Sequence, residues 1–103
     1  MARLFIRFTT TDFDAFRREY GANAEFRQNW GVLSESVHYG VADRNEIMVL
    51  HDFRTADAAR TFMADLAGSG VLHEFIKPES LESWLSHDMG WEPTEEAGPR
   101  KAG

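Results

Sequence analysis

Between Arg3 and Thr9, the residues Leu4, Ile6 and Phe8 alternate with Phe5, Arg7 and Thr9, the period of a strand with one face on a core. Thr11 stands three residues before Asp14, a capping-box-like spacing in which a hydroxyl and a carboxylate satisfy free backbone donors, so a helix is expected to begin there. Phe13, Phe16, Tyr20 and Ala24 recur at three- and four-residue intervals, with Arg17, Arg18, Glu19 and Glu25 on other faces. The helix is expected to reach about Asn29 and stop at Gly31, with Gly21 and the Phe26/Trp30 pair marking a bend or a rotation of its buried face.

Val32 to Val41 reads as a second strand, Ala42 to Asn45 as a turn and Glu46 to Phe53 as a third strand, together an antiparallel hairpin. Thr55 caps a second helix with Ala59, Phe62, Met63 and Leu66 as its stripe and Gly68 to Gly70 as its end. After the apolar patch from Val71 to Ile76, Pro78 blocks continuation, and Leu81 to Ser86 supplies a fourth strand. The order βαββαβ predicts an α+β, ferredoxin-like domain over residues 1–87, a four-stranded antiparallel sheet with both helices on one face. Residues 88–103 carry Gly90, Pro93, Gly98 and Pro99 among charged groups and read as a tail, flexible or anchored to a partner subunit through Trp91. Both strand faces carry apolar groups, so the sheet's uncovered face is expected to pack against a second copy in a symmetric dimer.

Composition narrows the possible partners. A chain of 103 residues has room for one core, and 43% hydrophobic with 27% charged residues is ordinary for a globular domain. The net charge of -6, with basic pairs only at Arg17-Arg18 and Arg100-Lys101, opposes nucleic-acid binding. The lack of cysteine removes disulfides, thiolate metal sites and a Cys nucleophile, and fits a reducing cytoplasm. No apolar run approaches the ~20 residues of a membrane span. There is no glycine-rich phosphate loop or nucleophile elbow, so nucleotide cofactors and acyl-enzyme chemistry are disfavoured.

The run Leu4-Phe5-Ile6-Arg7, the helix from Asp12 to Arg27, the strand Glu46 to Phe53 and the following Ala58-Ala59-Arg60-Thr61-Phe62 resemble proteins of the antibiotic-biosynthesis-monooxygenase-like superfamily. The likeness spans roughly residues 3–87 and lies in order and pattern rather than in a catalytic motif. It implies a dimeric α/β barrel, whose members include cofactor-free monooxygenases acting on polyketide phenols, haem-degrading enzymes and aromatic or polyketide cyclases. Haem-degrading members carry an Asn on the first strand, where this chain has Arg7, so haem degradation is disfavoured. The resemblance implies a cofactor-independent monooxygenase on a phenolic or polyketide-like substrate, with a cyclase or a non-catalytic binding dimer as alternatives.

Within that frame three residues are catalytic candidates. Arg7, opposite Leu4, Ile6 and Phe8, is expected to point into the barrel, where a guanidinium holds a phenolate, enolate or carboxylate; a surface ion pair is the plainer reading. His38 and His51 are candidate proton carriers, since imidazole titrates near neutrality, and they become neighbours if the hairpin register allows. Phe5, Ser36, Val49 and Trp84 are expected to line the substrate pocket, and His73 to close one end from the loop after the second helix. Asn29 and Tyr39 are lesser candidates. No two histidines have i, i+3 or i, i+4 spacing and the acids are scattered, so neither a metal nor another cofactor is expected.

Overall fold

The two strictly alternating segments become the central strands of one antiparallel sheet, β1 (Ala2–Thr9) and β3 (Glu46–Phe53). β2 (Ser34–Tyr39) flanks β3 and β4 (Glu82–His87) flanks β1, giving the order β2-β3-β1-β4. This is the α+β, ferredoxin-like arrangement that the element order predicts. The computed structural model describes residues 1–70 and 72–90; the expected tail beyond Gly90, with Trp91, lies outside the described residues.

The first helical segment is two helices, α1 (Phe13–Ala22) and α2 (Ala24–Asn29). The break falls at Asn23, not Gly21, because the Asn23 side chain donates to the Glu19 carbonyl at 2.8 Å and competes with the helix for that acceptor. Asp12, not Thr11, is the cap: its carboxylate accepts from the Ala15 N–H at 3.1 Å, while the Thr11 N–H is already committed to the Phe75 carbonyl. α3 (Ala56–Ser69) begins at Thr55 as expected, and Gly70, at φ +81°, ends it in the left-handed conformation that glycine adopts without strain. The short α4 (Leu72–Phe75) and a 3-10 turn at Pro78–Ser80 then lead into β4.

β2 is shorter than the strand expected from Val32 to Val41. Val32 turns inward to the core, and Val41 stands fully exposed at the tip of the hairpin. A Cβ at Gly40 would meet the Asp43 carbonyl oxygen at 2.8 Å, so the tight turn between β2 and β3 requires glycine there.

Side-chain parity fixes two unlike faces. Leu4, Ile6 and Phe8 from β1 and Ile47, Val49 and Phe53 from β3 pack with Phe16 and Phe62 beneath the helices. The other face carries Arg3, Phe5, Arg7, Met48, Leu50, Asp52 and, from the edge strands, Ser36, His38 and Trp84; among the described residues no helix covers it. Among the described residues, no helix is long and apolar enough to cross a membrane.

Candidate functional site

Helix α1 brings Tyr20 to His51 of β3, and α3 brings Phe62 against the same imidazole. Between them lies a cavity of about 250 Å³. Ile6, Phe8 and Val49 floor it, Phe16 and Tyr20 come from α1, Phe62 and Leu66 from α3, and Phe75 and Ile76 close one end. The exposed Asn23 and Ser69 and the half-buried Glu19 form its polar rim.

Thr10 holds the closing segment in place. Its buried hydroxyl donates to the Phe75 carbonyl at 2.5 Å, and the Thr10 backbone forms a bridge with Ile76. The end of β1 thereby anchors a wall that is distant in sequence.

His51 occupies the face that Ile47 and Val49 define on β3 and is only 2% exposed. Its Nε2 lies 2.8 Å from the Tyr20 hydroxyl, with the two rings within 10° of parallel. Its Nδ1 is the one buried side-chain nitrogen or oxygen among the described residues that lacks a hydrogen-bond partner. Phe62 meets the imidazole edge to face at 5.3 Å, and Phe53 does so at 6.4 Å. In this apolar setting burial pushes the imidazolium pKa down to about 4, so His51 is neutral at pH 7. Burial likewise raises the Tyr20 phenol well above its usual value.

An ion pair stands against this couple. Arg27 on α2 is 6% exposed, and its Nε and Nη2 donate to the two Glu35 oxygens at 2.7 and 2.9 Å, a bidentate fork. Its Nη1 donates to the Tyr20 carbonyl at 2.6 Å, and its guanidinium carbon lies 3.5 Å from the centre of the Tyr20 ring. The hydrogen bonds from Arg27 hold the Glu35 carboxyl below its ordinary range. Glu35 in turn raises the His51 pKa through its charge, against the larger effect of burial. Tyr20, Arg27 and His51 thus bring a phenol, a guanidinium and an imidazole to the lining of an apolar cavity, with Glu35 paired to Arg27 outside that lining.

Sequence reasoning places His51 on the same face as Val49, and both line this cavity. The expected meeting of Arg7, His38 and His51 does not occur. In the hairpin His51 pairs with Glu35 and His38 with Met48, so the two histidines lie on opposite faces of the sheet. His38 is exposed and within 3.1 Å of the Ser36 hydroxyl. Arg7, on the same open face, lies 4.0 Å from Glu46 and 3.9 Å from Glu82, the geometry of a surface ion pair. Phe5 and Trp84 are direct cross-strand partners on that face, with ring centres 5.3 Å apart, and Ser36 shares it. Those residues are separated from the cavity by the sheet itself. His73 lies in α4, with its side chain outside the described residues. Tyr39 packs edge to face on Phe13, and Asn29 ends α2 away from the cavity lining. Among the described residues, no three His, Asp or Glu side chains are grouped to hold a metal ion.

Tyr20, Arg27 and Glu35 escaped sequence reasoning. Tyr20 reads as one more apolar position of the α1 stripe, and the eight-residue separation of Arg27 and Glu35 carries no signal until the chain turns back at Gly31. The buried imidazole itself was the available clue, since a histidine on an apolar strand face needs a polar partner from a facing helix.

The fold is shared with several solved structures that differ widely from it in sequence. SnoaB of Streptomyces nogalater, a cofactor-independent oxygenase, superposes with a TM-score of 0.72 at 16% identity, over 90% of this chain and 97% of its own. A Deinococcus radiodurans protein assigned as an antibiotic biosynthesis monooxygenase gives 0.64 at 13% identity, over 91% and 97% of the two chains. HapK of Hahella chejuensis gives 0.62 at 15% identity, over 91% and 98%. No protein-family profile matches the sequence, and no curated protein sequence is similar to it.

Proposed function

We propose that this protein is a cofactor-independent oxygenase that oxidises a flat phenolic molecule in the cavity beneath its helices. The observation that carries the reading is the Tyr20–His51 couple, a neutral proton-accepting pair on the wall of an otherwise apolar cavity. The likeness in fold to SnoaB, itself a cofactor-independent oxygenase, supports the reaction type.

The chemistry uses only substrate electrons. The phenol passes its proton to the Tyr20 oxygen while the Tyr20 proton moves to His51 Nε2, leaving a phenolate and an imidazolium. Burial alone disfavours that imidazolium, but it forms beside a phenolate on a largely apolar wall, where opposite charges stabilise each other. The phenolate gives one electron to O2, and the resulting phenoxyl radical and superoxide combine at a ring carbon. His51 returns its proton to the peroxide. The ring C–H and the O–O bond then break together, so the product is a quinone and the second oxygen leaves as water. The Arg27–Glu35 pair, neutral as a unit, fixes the Tyr20 ring without adding net charge.

A dimer formed through the open face is part of the same reading. Phe5, Met48, Leu50 and the 65% exposed Trp84 form its apolar centre, flanked by the Arg3–Asp52 ion pair at 2.7 Å. Burying that centre against a second copy removes an edge-to-edge apolar strip from water.

Oxygen uptake with hydroxyarenes tests the reaction. One quinone formed per O2 consumed, with no added reductant, is the expected stoichiometry, and Tyr20→Phe is expected to slow it about a hundredfold. Substrate turnover without O2 uptake would replace oxygenation by a proton-transfer reaction such as cyclisation.

A further inference from the structure

We infer that the cavity is built for a neutral hydroxyarene of two fused rings, bound with its hydroxyl on the Tyr20–His51 couple. The inference rests on the helix-side cavity being the substrate site, and adds what that site selects.

Volume sets the ring count. An apolar cavity of about 150 Å³ takes one benzene ring. The 250 Å³ here takes a second fused ring, and a third would extend into the open mouth at the rim, where it gains no buried surface. The sheet floor, Phe16 and Phe62 give two apolar sides suited to a flat molecule.

Charge sets the class. Arg27, the cation that lines the cavity among the described residues, already has both Glu35 oxygens at 2.7 and 2.9 Å, so its guanidinium is not free for a ligand carboxylate. Glu19 at the rim and the chain's net charge of -6 act against an anion entering. An anionic ligand would lose its hydration without gaining a counter-charge. A hydroxyl suits the site better, since the Tyr20–His51 couple can donate to it or accept from it.

Anaerobic binding of five probes, read by calorimetry, tests this without turnover: 1-naphthol, phenol, naphthalene, 1-naphthoate and 9-phenanthrol. The expected result is that 1-naphthol binds about tenfold tighter than each of the other four, a difference of one good contact or one buried ring. Tyr20→Phe is expected to abolish the preference for 1-naphthol over naphthalene. Leu66→Phe, which narrows the cavity from α3, is expected to weaken 1-naphthol about fivefold or more and spare phenol. Equal or tighter binding of 9-phenanthrol overturns the size assignment, and tighter binding of 1-naphthoate overturns the charge assignment. A preference for 1-naphthol that survives in a folded Tyr20→Phe protein overturns the placement of the hydroxyl. Binding of 1-naphthol without O2 uptake leaves this inference standing and removes the oxygenase reading; oxidation of three-ring phenols only does the reverse.

Discussion

Arg27 grips Tyr20 twice, by a 2.6 Å hydrogen bond to its carbonyl and by a guanidinium 3.5 Å above its ring. The same arginine carries the bidentate bond to Glu35, so one buried side chain ties α1, α2 and β2 together beside the cavity.

The two partners of that ion pair are not equally dispensable. Arg27 is nearly buried, whereas the Glu35 side chain is 32% exposed. Glu35→Leu strands a buried cation, at a cost of about 3 kcal/mol, while Arg27→Met leaves a carboxylate that can turn to water, at about 2 kcal/mol. The double variant is expected to cost less than the two singles added, because neither charge is then left alone. Urea unfolding of the four proteins measures this, and strict additivity would show that the pair is not coupled.

Acid should weaken the fold through His51 before it reaches the carboxylates. The imidazole titrates near pH 6.5 when unfolded and near 4 in the fold, so between those values the unfolded chain binds the extra proton. Stability is therefore fully present above about pH 6.5 and falls as the pH drops toward 4, by up to about 3 kcal/mol. Glu35, held low by Arg27, and Asp52, held low by Arg3, add losses as the pH falls through and below the carboxylate range. The urea midpoint of wild type should fall more steeply from pH 7 through 5.5 to 4.5 than that of His51→Phe, which lacks the titrating imidazole. Parallel losses in the two proteins would assign the acid sensitivity elsewhere.

The central strands were the most legible part of the chain, because each alternates over eight residues and is buried on one face alone. The edge strands were less so: Val32 to Val41 reads as one strand, but Val32 belongs to the core and Val41 to the hairpin tip. For the site, the period of Ile47, Val49 and His51 was enough to find the buried imidazole. What it could not give was register. Whether His38 shares a face with His51 depends on one residue of slippage across the hairpin, and that is set by the turn at Gly40. Tyr20 and Arg27 were hidden because their roles arise from the break at Asn23, which one side-chain hydrogen bond decides.

The open face makes a separate prediction. Trp84→Arg adds charge at the middle of the apolar strip while leaving a position that is already 65% exposed in the single chain. Sedimentation should show a dimer for wild type and a monomer for the variant at micromolar concentration, with the helix-side cavity still able to bind its ligand. A monomeric wild-type protein would remove the dimer from the account.

The most direct test compares the two histidines that the sheet keeps apart. Initial O2 uptake with a hydroxyarene would be measured for wild type, His51→Phe and His38→Ala, each checked for folding by circular dichroism. The account predicts a loss of about a hundredfold or more for His51→Phe and an unchanged rate for His38→Ala. Full uptake in His51→Phe, or loss confined to His38→Ala, would contradict it and move the chemistry to the open face.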